Sequence, residues 1–67
     1  MGLRGGNRHL ELGKALEAGQ IVIFRGAPQE RGIVISNDGV TVRIQYRNGV
    51  APWSVYDAGM DVSPVTT

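Results

Sequence analysis

Six arginines and a single lysine, Lys14, supply the positive charge of this 67-residue chain. Four of the arginines sit in or beside apolar runs. Arg25 follows Ile21-Val22-Ile23-Phe24, Arg31 precedes Gly32-Ile33-Val34-Ile35, and Arg43 and Arg47 bracket Ile44-Gln45-Tyr46. A guanidinium is planar, always charged and suited to bidentate contact with phosphate or carboxylate, which an ammonium is not. Arg25, Arg31, Arg43, Gln45 and Arg47 therefore form a candidate set for following a phosphate backbone along one strand face. Tyr46, Trp53 or Tyr56 could supply a surface on which bases stack. Trp53 and Tyr56 are also the candidates for protein contact, because such residues often anchor interfaces. Trp53 serves equally well as a core plug, so Tyr56 is the better candidate for exposure.

Composition removes several other chemistries. Cysteine is absent, so disulfides and thiolate metal sites are excluded. The one histidine, His9, cannot build a metal site with six scattered carboxylates. Ser36, Ser54 and Ser63 lack a partner histidine, and the glycines do not form a phosphate loop ahead of a helix. No cofactor and no catalytic residue is expected, and the chain reads as non-enzymatic. The formal net charge of +1 is too balanced to identify a nucleic-acid binder by charge alone. No apolar run approaches the roughly 20 residues that span a bilayer, and Gly2-Leu3-Arg4-Gly5-Gly6 lacks a signal-peptide core. A cytoplasmic protein without membrane contact is the expectation.

The elements that must position these residues are short. Residues 1–8 read as a flexible tail, and residues 9–65 as a single small domain. His9 to Ala18 carries Leu12, Ala15 and Leu16 at helical spacing, with Asn7 as N-cap and Gly19 as a C-terminal stop. The Leu face of this helix is expected to cover one end of the domain. Gln20–Arg25 is the first strand, its four consecutive apolar residues implying burial on both faces. Residues 26–31 form a loop containing Pro28, and Gly32–Ser36 a second strand. Asn37-Asp38-Gly39 and Asn48-Gly49 are tight hairpin turns. Between them Val40, Val42, Ile44 and Tyr46 alternate with Thr41, Arg43, Gln45 and Arg47, which assigns the first set to the core and the second to solvent. Val50-Ala51 begins a strand limited by Pro52. Ser54 to Gly59 makes a helical turn, and Asp61–Val65 a fifth, edge strand.

Five short strands, a longer loop after the first, two tight hairpins and one helical turn before the last resemble a Src-homology-3-like barrel. Within it, Gly19-Gln20-Ile21-Val22-Ile23, Gly26 and Gly32-Ile33-Val34 resemble the KOW motif of ribosomal proteins and transcription-elongation factors. The loop departs from that motif, holding Glu30 beside Arg31 where RNA-binding members carry Lys-Gly steps. Tudor domains share the barrel but need an aromatic cage. Phe24, Tyr46, Trp53 and Tyr56 are the only aromatics, and most of them are needed in the core.

The expectation is a mainly β protein, a five-stranded Src-homology-3-like barrel with a short N-terminal helix. As a binding module, its first candidate partner is nucleic acid or a nucleoprotein complex of transcription or translation, met by the arginine face. The alternative is a protein partner met through Trp53, Tyr56 and the loops. A core this small is marginal, which makes a homo-oligomer a second route to stability.

Overall fold

The computed structural model describes residues 4–65, with side chains from residue 8 onward. The elements run α1 (Arg4–Lys14), β1 (Ile21–Phe24), β2 (Ala27–Asn37), β3 (Thr41–Tyr46), β4 (Gly49–Ser54), α2 (Val55–Asp61) and β5 (Val62–Pro64). The chain is mainly β, as its patterning indicates, with five antiparallel strands ordered β4-β3-β2-β1-β5. The sheet is open: β4 and β5 are its edges and do not pair with each other. Each edge carries a proline, Pro52 or Pro64, and proline has no N–H to give a ladder.

Side-chain hydrogen bonds fix the turns. Asn37 Oδ1 accepts from the Gly39 N–H (3.0 Å), and Asp38 Oδ1 accepts from the N–H groups of Val40 (2.8 Å) and Thr41 (2.7 Å). Gly39 takes φ +89°, which glycine adopts without steric cost. The second hairpin pairs Tyr46 with Gly49, so its turn is Arg47-Asn48, one residue earlier than expected. The expected loop over residues 26–31 is mostly strand. Ile23 pairs with Arg31 but Phe24 pairs with Ala27, which leaves residues 28–30 as an insertion without partners on β1. Pro28 fits there because no ladder bond is asked of it. β4 likewise runs through Pro52 to Ser54, as an edge strand can. Ser54 caps α2, its Oγ accepting from the Asp57 N–H at 3.1 Å.

The core is Leu16, Val22, Val34, Val42, Ile44, Val55, Ala58 and Val62. The inner sheet face supplies five of these and α2 two. α1 packs mainly on α2, with Leu16 just beyond it reaching the core. The two helices touch backbone to backbone. A Cβ on Gly13 would run into the Val55 carbonyl, and one on Gly59 into the His9 carbonyl.

That contact explains where α1 lies. Packing centred on His9 and Gly13 extends the helix to Arg4, into the expected tail, and places Asn7 inside the helix. Tertiary contact overrides the poor propensity of the Gly5-Gly6 pair. Residues 1–3 of the expected tail lie outside the described residues. The helix stops at Lys14 because Asn37 Nδ2 donates to the carbonyls of Gly13 (3.0 Å), Lys14 (3.3 Å) and Leu16 (2.7 Å). The Gly13 carbonyl also accepts from the Leu16 N–H (3.3 Å), while the other two would otherwise be orphaned at a helix end. Gly19 is consequently not the helix stop. It takes φ +92° in the turn before β1 and donates its N–H to the Val34 carbonyl at 2.7 Å.

Candidate binding face

Strand alternation divides the candidate residues between two faces. Val22, Val34, Val42 and Ile44 point inward and are buried. Their neighbours Ile21, Ile33, Arg43 and Gln45 point outward and are exposed. The ladder places Ile21 opposite Ile33, Ile33 opposite Gln45, and Gln45 opposite Val50. One row of outward side chains thus crosses all four strands from β1 to β4. Ile21, Ile33 and Val50 in that row keep 44, 47 and 53% of their surface in water. Ile35, at the bulge that shifts the β2–β3 register between Val34 and Ser36, is exposed as well. An open depression of about 410 Å³ lies here, lined by Ile21, Arg31, Gly32, Ile33, Gln45 and Tyr46.

Two expectations fail against this geometry. The apolar run of β1 is not covered on both faces, because both helices lie on the other side of the sheet. Val40 is not core: it precedes β3, in the turn, and is 70% exposed. Of the two aromatic candidates for protein contact, Trp53 takes its alternative place against the core and Tyr56 is the exposed one. Trp53 pairs with Val42 on the inner face and packs against the core beside Phe24, at a centroid distance of 5.4 Å. Tyr56 is exposed on α2, its ring meeting His9 edge to face at 5.5 Å.

The arginines lie on both sides of this row. Arg31 lies opposite Ile23 and shares the outward side of β2 with Ile33. Arg25, just past β1, donates from Nε to Ser63 Oγ at 2.8 Å, and Ser63 lies opposite Ile23. Arg43 stands on the other side of the aliphatic row, opposite Pro52. Arg47 is exposed in the β3–β4 turn. The one carboxylate within the strands is Glu30, exposed in β2 beside Arg31. The adjoining turn holds Asp38, whose carboxyl lies below its ordinary pKa of 3.8 because it accepts the Thr41 and Val40 N–H groups, with Arg43 adding a smaller electrostatic pull.

The inner end of the sheet is a different environment. Phe24 stacks on Tyr46, with centroids 4.8 Å apart and planes 20° from parallel. Two stacked faces leave no gap for a cation, so these rings do not make a cage. Tyr46 Oη and Trp53 Nε1 are buried without hydrogen-bond partners. Burial pushes the Tyr46 phenol above its ordinary value of 10.0, and the nearby Trp53 indole opposes this without the two atoms reaching hydrogen-bond geometry. Gly32 makes room for the ring: a Cβ there would clash with Tyr46 and Ile44.

Among the described residues no group of three His, Asp or Glu side chains is placed to hold a metal. No helix of the described residues is long and apolar enough to cross a membrane. The aliphatic row is what the sequence reading missed. Its signal was present, since Ile21, Ile23, Ile33 and Ile35 alternate with the equally apolar Val22 and Val34. Strands apolar on both faces imply two covers, and the helices provide one. Comparison with known protein families, curated proteins and solved structures finds no match to this chain.

Proposed function

We propose that this chain is a non-enzymatic, cytoplasmic binding module that engages a protein partner through the outer face of its sheet. The observation that carries the reading is the exposed row Ile21–Ile33–Gln45–Val50 with Arg31 and Arg43 on opposite sides of it. An apolar centre with a charged, solvated rim is the anatomy of protein interfaces. The strand order, and a single helix between the fourth and fifth strands, support the Src-homology-3-like reading of the framework. The partner surface moves accordingly from Trp53 and Tyr56 to the sheet.

The exposed Arg25, Arg31 and Arg43 favour a second reading, association with nucleic acid. The aliphatic row argues against it, because it separates Arg43 from the other two. A photo-reactive amino acid installed at position 33 and, as control, at the exposed helix position Glu11 separates the outcomes in cells. A protein adduct specific to position 33 supports the first reading, and a nucleic-acid adduct the second. Equal labelling from both positions refutes an outer-face site. In a fluorescence titration, three arginine–phosphate contacts give a log–log salt slope of about −3 on duplex DNA, and the protein reading expects no binding at physiological salt.

A further inference from the structure

The reading above leaves the partner's chemistry open, and building on it we propose that the outer face receives an acidic segment of another protein. That segment carries aliphatic side chains at its centre and carboxylates on both sides. Two features of the face lead there. The outward row spans four strands, roughly 14 Å at about 4.8 Å between strands, with Ile21 and Ile33 side by side and Gln45 standing between Ile33 and Val50. Arg31 and Arg43 each lie two residues from that row along their strands, in opposite directions, which is about 6.6 Å at 3.3 Å per residue. A ligand seated on Ile21, Ile33 and Val50 therefore meets a guanidinium on either side, about 13 Å apart along the strand direction.

Charge chooses among the occupants. A second copy presents the same face, and a two-fold pairing would set arginines against arginines, with Glu30 the one strand carboxylate beside them. Asp38, the carboxylate in the adjoining turn, already has Oδ1 engaged by two backbone N–H groups. A nucleic acid satisfies the arginines but leaves the isoleucines against a charged backbone. An acidic aliphatic segment satisfies both. Bidentate carboxylate binding also exploits what arginine does better than lysine.

Selection of a phage-displayed library of random linear peptides on the full chain tests this. Selected peptides are synthesised and their affinities measured by fluorescence anisotropy. The expected winners carry Leu, Ile or Val between Asp or Glu residues. Their affinity falls at least about tenfold on Ile33→Glu, and falls similarly on the double change Arg31→Glu, Arg43→Glu, since like charges brought together at an interface cost several kcal/mol. Replacing the peptide carboxylates with lysine restores binding to that double variant. Circular dichroism melts confirm that both variants remain folded. Winners that need Ile33 but carry no carboxylates overturn the acidic partner and leave the outer-face reading standing. Winners indifferent to Ile33→Glu, or no enrichment at all, overturn both. Single-stranded oligonucleotide binding that needs Arg31 and Arg43 but not Ile33 shifts the assignment to nucleic acid. Self-association by sedimentation that Ile33→Glu abolishes shifts it to a second copy.

Discussion

Val34 and Ile33 are neighbours in β2, nearly alike in chemistry, and opposite in fate. Val34 is sealed beneath the helices, while Ile33 keeps nearly half of its surface in water. The same contrast separates the two faces of the whole sheet. The inner face is packed to the point where glycines replace side chains. The outer face repeats the aliphatic pattern with nothing on it among the described residues. Domains generally bury an apolar sheet face against a further layer. A sheet that is apolar on both sides and covered on one is therefore a two-layer domain with a place for a third layer.

The contrast breaks most visibly with one charge placed on each face. Val42→Asp buries an ion without a partner, which costs several kcal/mol. That consumes the roughly 3–5 kcal/mol that a core of this size supplies. Urea titration is expected to find this variant largely unfolded at neutral pH. Ile33→Glu, on the outer face, is expected to cost about 1 kcal/mol or less, mostly through lost strand preference. Similar losses for both would mean that the outer face is not free.

Next in size is Gly59→Ala. In an exposed helix this change stabilises by about 1 kcal/mol. In α2 the added methyl meets the His9 carbonyl, and overpacking of that kind reverses the sign, to a loss of about 1–3 kcal/mol. A denaturation midpoint that rises would show that the helices do not touch there.

The smallest effects are those of pH. Tyr46 has its folded pKa raised above 10.0. Its contribution is intact below that value, where both states hold the proton, and declines at higher pH as the unfolded chain ionises first. Tyr46→Phe is expected to remove that part of the alkaline decline in the thermal midpoint. Asp38 behaves oppositely. Its folded pKa is lowered, so its contribution is present above 3.8 and fades as pH falls below it. Asp38→Ala is expected to flatten that portion of the acid limb.

The sequence made one of these faces readable and concealed the other. Alternation through residues 41–46 put Val42 and Ile44 inside and Arg43 and Gln45 outside, because a period of two leaves no other choice. It extended to Val40 wrongly, since the Asp38 turn hydrogen bonds hold that residue outside the ladder. The helix was detectable from its leucine spacing, but its span was set by Gly13 and Gly59, whose value lies in having no side chain. Nothing local distinguishes such a glycine from a helix breaker. Trp53 fitted either the core or a contact surface, and the pairing of β4 with Val42 decided between them.

Asn37 has a consequence of its own for how the molecule opens. Its amide holds three carbonyls at the end of α1 while its oxygen holds the tip of the β2–β3 hairpin. A helix fraying from its C-terminus must release the hairpin tip, and a hairpin opening at its tip must release the helix. Amide protons at these two places, more than twenty positions apart in the chain, should then exchange with solvent at matched rates. In Asn37→Ala the two sites should part company, the helix end exchanging first.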